Sequence, residues 1–147
     1  MAAHPLPQQS LEVLQCNINH CLRAQDLLMQ NIRQWGVNVA AIAEPYYIPP
    51  LTHWAGSTDD RVALVVSGTD GSPPLICTER GQGYVAAKWG NIILIGVYFS
   101  PNQPLIAFER YLGEIGTYIR KSGTNASNCV GRPERKECSV GLAQYNS

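Results

Sequence analysis

Within the first 45 residues two apolar segments flank a stretch of helical periodicity, and that arrangement leaves few folds open. Leu11 to Ile18 is rich in Leu, Val and Ile and alternates weakly, as a largely covered strand does. Asn19 is suited to cap a helix. Behind it Cys21, Ala24, Leu28, Ile32 and Trp35 recur at helical spacing and form one apolar stripe. Gly36 follows the stripe as the expected C′ glycine, and Val37 to Ala43 is a nearly unbroken apolar run, the mark of a strand covered on both faces. Strand, helix, strand in this length predicts a parallel, right-handed crossover unit and hence an α/β fold.

The remainder alternates stops and strands. Pro45, Pro49 and Pro50 predict an irregular loop through His53 to Asp60, and Val62 to Val66 is the next strand. A Gly/Pro/Asp turn spans Gly68 to Pro74. Strands are then predicted at Leu75 to Thr78, Tyr84 to Lys88 and Asn91 to Phe99, the last two joined by a tight turn at Trp89-Gly90-Asn91. Pro101 and Pro104 end the last strand. A helix is predicted from near Leu105, with Phe108, Tyr111, Leu112, Ile115 and Ile119 on its apolar face. Ser122 to Ser147 has no sustained periodicity and a charged cluster at Arg132 to Glu137, the pattern of a weakly structured tail.

Composition narrows the functional classes. At 147 residues the chain is long enough for one domain, and a hydrophobic fraction of 45% suits a globular protein. Eleven basic and eleven acidic residues cancel, so nucleic-acid contacts would have to be local, with no global positive field to help. No apolar run reaches the roughly 18 residues of a membrane span, and Met1 to Gln9 lacks a basic n-region and an apolar h-region. Five irregularly spaced cysteines without a secretory signal read as reduced thiols, which favours a nuclear or cytoplasmic, non-secreted protein.

Three residues stand where chemistry is done in an open α/β sheet, at the carboxyl ends of strands. Asn17 ends the first predicted strand, Glu44 the second, and Tyr98 lies near the end of the long last one. A carboxylate beside an amide is a suitable perch for Mg²⁺, which prefers oxygen ligands and keeps several waters. On spacing alone, a glutamate leaving a strand for solvent and an asparagine capping a turn are the simpler explanation of the pair. Tyr98 could donate to a phosphate oxygen, or be a half-buried strand aromatic. His20, Cys16 and Cys21 match no zinc spacing and read as buried thiols beside a helix-entry histidine. His53 has no visible nucleophile partner, and Arg61, Arg80 and Lys88 are scattered single charges of the kind that line a solvated face.

Leu14-Gln15-Cys16-Asn17-Ile18-Asn19-His20-Cys21, the helix through Ala24-Gln25-Asp26-Leu27-Leu28, Ala41-Ile42-Ala43-Glu44-Pro45-Tyr46 and Gly96-Val97-Tyr98-Phe99-Ser100-Pro101 together resemble an endonuclease/exonuclease/phosphatase domain. The variety most similar is the apurinic/apyrimidinic endonuclease-like domain of non-LTR (LINE-type) retrotransposons of arthropods. The resemblance covers about residues 11 to 121. It implies a two-sheet α/β sandwich (the DNase I-like fold) and Mg²⁺-dependent nicking of target DNA, after which an attached reverse transcriptase extends the freed 3′-OH. It also implies Glu44 as the metal ligand, Asn17 as the amide that holds it, and Tyr98 as a residue that positions the scissile phosphate. The implied partners are DNA and a reverse transcriptase domain.

The chain departs from that pattern. The family's Gly-Asp-x-Asn strand and its later Ser-Asp-His segment do not occur in these residues. Permissible codons for Ser127 to Asn146, read one nucleotide later, give V-I-V-S-G-D-L-N-A-K-S-A-V-W-G-S-P-N-T, which restores the first of them. The expected organisation is therefore a disordered leader at 1–10, a partial nuclease domain at 11–121 (the N-terminal half of the sandwich), and an out-of-frame, poorly structured tail at 122–147. The expected function is a fragment of a DNA endonuclease, inactive alone. The alternatives are a non-catalytic interaction module derived from the same fold, and a phosphodiesterase completed by a second chain.

Overall fold

The computed structural model describes residues 11–68, 71–100 and 102–121 throughout, and the backbone alone of 128–130 and 139–146. The expected leader at 1–10 lies outside these residues. Strand β1 (Val13–Asn17), helix α1 (Leu22–Trp35) and strand β2 (Val39–Ala43) form the anticipated unit. The two strands pair in parallel, Val13 opposite Val39 through Asn17 opposite Ala43. Gly36 ends the helix in the left-handed conformation, φ 68°, and the Val37 N–H closes the last turn on the Ile32 carbonyl.

Strand β4 (Val62–Val66) lies antiparallel against β2, and a short β3 (Trp54–Gly56) pairs with its other edge. The mixed sheet therefore runs β1-β2-β4-β3. β3 falls inside the stretch expected to be irregular. Three residues are too few to show periodicity, and only the pairing of Trp54 to Gly56 with Val65 to Ala63 makes them a strand. The second sheet is antiparallel: β5 (Leu75–Gly81), β6 (Tyr84–Trp89) and β7 (Ile92–Phe99). β5 runs three residues past its expected end, through a bulge between Cys77 and Glu79 that breaks the alternation. The β6–β7 turn is the anticipated one, with Gly90 at φ 62° in the first of two loop positions. After helix α2 (Leu105–Lys121), the backbone of β8 (Asn128–Val130) pairs with β9 (Ser139–Asn146), and β9 pairs with the free edge of β7.

The layers follow from alternation along the strands. Val39, Ala41 and Ala43 of β2 and Val62, Leu64 and Val66 of β4 pack against Val85 and Ala87 of β6 and Leu94 and Tyr98 of β7, so the two sheets share one core. The opposite faces of β2 and β4 (Ala40, Ile42, Ala63, Val65) receive Leu28 and Ile32 of α1. The outer face of the second sheet, Ala86 and Ile95, receives Tyr118 and Ile119 of α2. Over the described residues the chain is an α/β protein with two sheets and two helices, and none of its described helices is long and apolar enough to cross a membrane.

Three expectations about the helices are corrected. Trp35 is 61% exposed. Ile32 is the last residue of α1 buried against the sheet, and the three that follow it, Trp35 among them, are exposed. The helix is capped by the backbone of Cys21, which is exposed rather than buried, while Asn19 stands outside it at φ 48°. On α2, Leu112 is half exposed because it lies about 100° around the helix from the buried Tyr111.

Cys16 is the described thiol most altered by folding. Burial pushes it up to about 11 from an ordinary 9.0. The folded state therefore keeps a proton that the unfolded chain releases first, and stability is expected to be undisturbed by this group below pH 9 and to fall from pH 9 to 11. Denaturant midpoints measured across that range should decline less steeply in Cys16→Ala. Burial raises Tyr111 in the same direction, so part of the slope should survive the substitution.

Candidate functional site

The carboxyl ends of β1 and β2 are laced together by the backbone. Ile18 N–H donates to the Ala43 carbonyl at 3.2 Å and His20 N–H to the Glu44 carbonyl at 2.8 Å. This requires a sharp turn, and Asn19 (φ 48°) and His20 (φ 56°) both take the left-handed conformation to make it. The Asn17 side chain supports the turn by accepting the Asn19 N–H at 2.8 Å. Glu44 is itself left-handed at φ 48° and donates its N–H to the Arg61 carbonyl at 2.8 Å. A glutamate in this region costs on the order of 1 kcal/mol and is held there by its surroundings, a condition that concentrates at functional sites.

Tyr98 reaches this point from the other sheet. It is 4% exposed, and its hydroxyl donates to Glu44 Oε1 at 2.5 Å. Of the three residues singled out from sequence, Glu44 and Tyr98 are thus in direct contact. Asn17 is in register with Ala43, one residue before Glu44, with its side-chain oxygen turned to the Asn19 backbone.

The turn from β3 to β4 forms the opposite wall. Ser57 is fully buried; its hydroxyl donates to Asp59 Oδ1 at 2.7 Å and accepts the N–H groups of Arg61 and Val62 at 3.1 and 3.2 Å. The same Asp59 oxygen accepts the Gly83 N–H at 3.1 Å, and Asp59 Oδ2 lies 3.6 Å from Arg61 Nε. Asp59 is therefore spent on joining the β3–β4 turn to the β5–β6 turn. Gly83, at φ 74°, accepts through its carbonyl both the Tyr98 N–H at 2.8 Å and the Tyr111 hydroxyl at 2.6 Å. Phe99 packs on Phe108 and Tyr111 with ring centroids 5.0 and 5.1 Å apart, which fixes α2 beside the end of β7.

Between these walls lies a cleft of about 470 Å³ lined by the carboxylates of Glu44, Asp59 and Asp60 together with His20, Tyr46, Arg61, Tyr98 and Ser100. A second depression of about 380 Å³ shares Arg61, Tyr98 and Ser100 with it and extends to Gln82, Gln103 and Arg110. Arg61, read as a scattered charge, therefore faces the same space as Glu44, whereas Arg80 and Lys88 line neither hollow. His20 turns its Nδ1 to the Pro45 carbonyl at 3.1 Å and so braces the loop after Glu44. His53 precedes β3, its carbonyl accepting the Val66 N–H.

The donors facing the cleft are hard: Glu44, Asp60 and the already engaged Asp59, with the Tyr98 phenol, suit Mg²⁺ bound mostly through water. Asn17 does not line the cleft, and its oxygen is held by the Asn19 N–H. Among the described residues no three His, Cys, Asp or Glu side chains gather into a fuller cation cage. Sequence reasoning missed Gln25, Ser57, Asp59 and Gly83. Gln25 had a signal, since it interrupts the buried face of α1 as a polar residue three positions before Leu28; Ser57-x-Asp59 had the weaker one of a side-chain turn. Compared with protein-family models, curated proteins and solved structures, the chain matches none.

Proposed function

We propose that this chain carries the metal-holding half of a DNA-nicking site of the retrotransposon endonuclease kind, built on the N-terminal half of a DNase I-like sandwich. The observation that carries this reading is the bond from Tyr98, at the end of one sheet, to Glu44, a left-handed glutamate at the end of the other, in a cleft that also holds Arg61. Glu44 would hold Mg²⁺, with Asn17 beside it, and Arg61 would meet a phosphate. The ion would supply polarisation of a phosphoryl oxygen. Activating a water requires a second acid and a base, and the family segments that provide them do not occur in this sequence. The chain is accordingly proposed to bind cation and DNA without cutting by itself, and cutting would need a complementing chain or the family's reverse transcriptase polypeptide.

Calorimetric titration with Mg²⁺ and a supercoiled-plasmid nicking assay, each run beside Glu44→Ala, test this directly. Native protein is expected to bind Mg²⁺ and leave the plasmid intact, and Glu44→Ala to lose the cation. Glu44-dependent nicking would overturn the incompleteness, and unchanged Mg²⁺ binding in the variant would overturn the metal assignment.

A second reading, a non-catalytic interaction module on the same fold, draws on Leu105, Ile106 and Leu112, which α2 leaves exposed. A cooperative melt with neither Mg²⁺ binding nor nicking would favour it.

A further inference from the structure

The loop that leaves Glu44 is held from beneath by an interior amide. Gln25 of α1 is only 7% exposed. Its Oε1 accepts the N–H groups of Tyr46 and Tyr47 at 2.8 and 3.2 Å, and its Nε2 donates to the Tyr47 carbonyl at 2.7 Å. Pro45, itself buried, fixes the residue before, and His20 Nδ1 meets the Pro45 carbonyl. Four polar contacts thus immobilise a three-residue segment. Yet the rings this segment carries gain little burial from it: Tyr46 is 53% and Tyr47 57% exposed. The clamp ties the loop to α1 through backbone groups alone, a role that does not call for aromatic side chains at positions 46 and 47. It does present flat apolar faces in a fixed place, and Tyr46 lines the same cleft as Glu44 and Arg61.

We infer that Tyr46, flanked by Tyr47, is a stacking platform for an unpaired nucleobase at the mouth of the Glu44 cleft, which makes single-stranded or locally opened DNA the substrate class of this site. The inference rests on the nuclease reading above and narrows it. A base inside a duplex has both faces covered by its neighbours, whereas an unstacked base can lay one face on a tyrosine while its phosphate meets Arg61. Such stacking is tolerant of sequence, because every base has a π-face. The pre-ordered loop adds affinity because the ring's position costs no entropy at the moment of binding.

The test is fluorescence anisotropy on the full chain with three labelled probes: a thymidine dodecamer, a strand of equal phosphate count with every base removed, and a duplex of equal length. The native chain is expected to bind the thymidine strand about tenfold more tightly than either of the others. Tyr46→Leu should lower the thymidine affinity to that of the base-free strand, and Tyr46→Trp should restore it. Because the ring is exposed, neither change should alter the thermal melt measured by circular dichroism. Equal affinity for the thymidine and base-free strands, an unaltered Tyr46→Leu, or no binding of any probe would overturn the platform. Base preference retained alongside Mg²⁺ binding that ignores Glu44→Ala would support the platform while removing the nuclease reading.

Discussion

Gly83→Ala is expected to lower stability by about 3–4 kcal/mol, a drop in melting temperature on the order of 10 °C. Two costs combine. At φ +74° any L side chain is strained, by about 1–2 kcal/mol. In addition a Cβ at this position would sit 2.5 Å from the Tyr98 carbonyl oxygen and 3.2 Å from Tyr111 Cε2. The first contact is with backbone, which no rotamer change relieves, so the β5–β6 turn or the end of β7 must move. Either movement pulls on the Gly83 carbonyl that binds Tyr98 N–H and the Tyr111 hydroxyl, and loosens the reach of Tyr98 to Glu44. Gly36→Ala is the control: it is left-handed at +68° but has open space around it, so only the conformational cost of about 1 kcal/mol should appear. Paired thermal melts measure both; equal losses in the two variants would mean that the turn is not packed on Tyr98.

The core between the sheets should yield the other large effect. Leu64 is fully buried on β4 and projects into the layer shared with β6 and β7. Leu64→Ala is expected to cost about 3–5 kcal/mol, the transfer of the lost methyl groups plus the cavity they leave. Gly96 on β7 stands opposite: a Cβ there would meet Leu64 Cδ2 at 3.1 Å, Leu64 Cγ at 3.3 Å and Val62 Cγ2 at 3.4 Å. The glycine is the hollow that Leu64 fills. Gly96→Ala alone should therefore overpack the interface at about 1–3 kcal/mol. The double variant, in which the new methyl occupies vacated space, should lose about 1 kcal/mol less than the sum of the singles. Urea denaturation of the four proteins gives the coupling, and strict additivity would show that the two positions do not face each other.

Both substitutions act on long-range contacts, and these are what a linear reading leaves out. The crossover unit was legible because its signals are local: helical spacing from Ala24 to Ile32, a glycine after the last turn, an apolar run for a strand covered on both faces. The same holds for the Gly90 hairpin, where one residue's positive φ sets the turn. Asn17 and Glu44 could be placed at neighbouring strand ends because parallel pairing across a short crossover follows from those signals. The polarity of Gln25 on an otherwise apolar face was visible too, although what it holds was not.

What the sequence determined alone is therefore the order of elements from β1 to α2 apart from β3, the parallel β1–β2 pair and the location of Glu44 at its rim. Tertiary structure decided the rest. It brought Tyr98 across 54 positions to Glu44, made Asp59 and Gly83 into the joint between two turns, turned Trp54 to Gly56 into a strand, and left Tyr46 and Tyr47 facing water above a buried amide. The division has one physical cause. Backbone periodicity and turn chemistry act over a few residues and leave a mark in composition. The meeting of two sheets depends on which side chains fill the space between them, and Gly96 opposite Leu64 has no signature until both strands are in place.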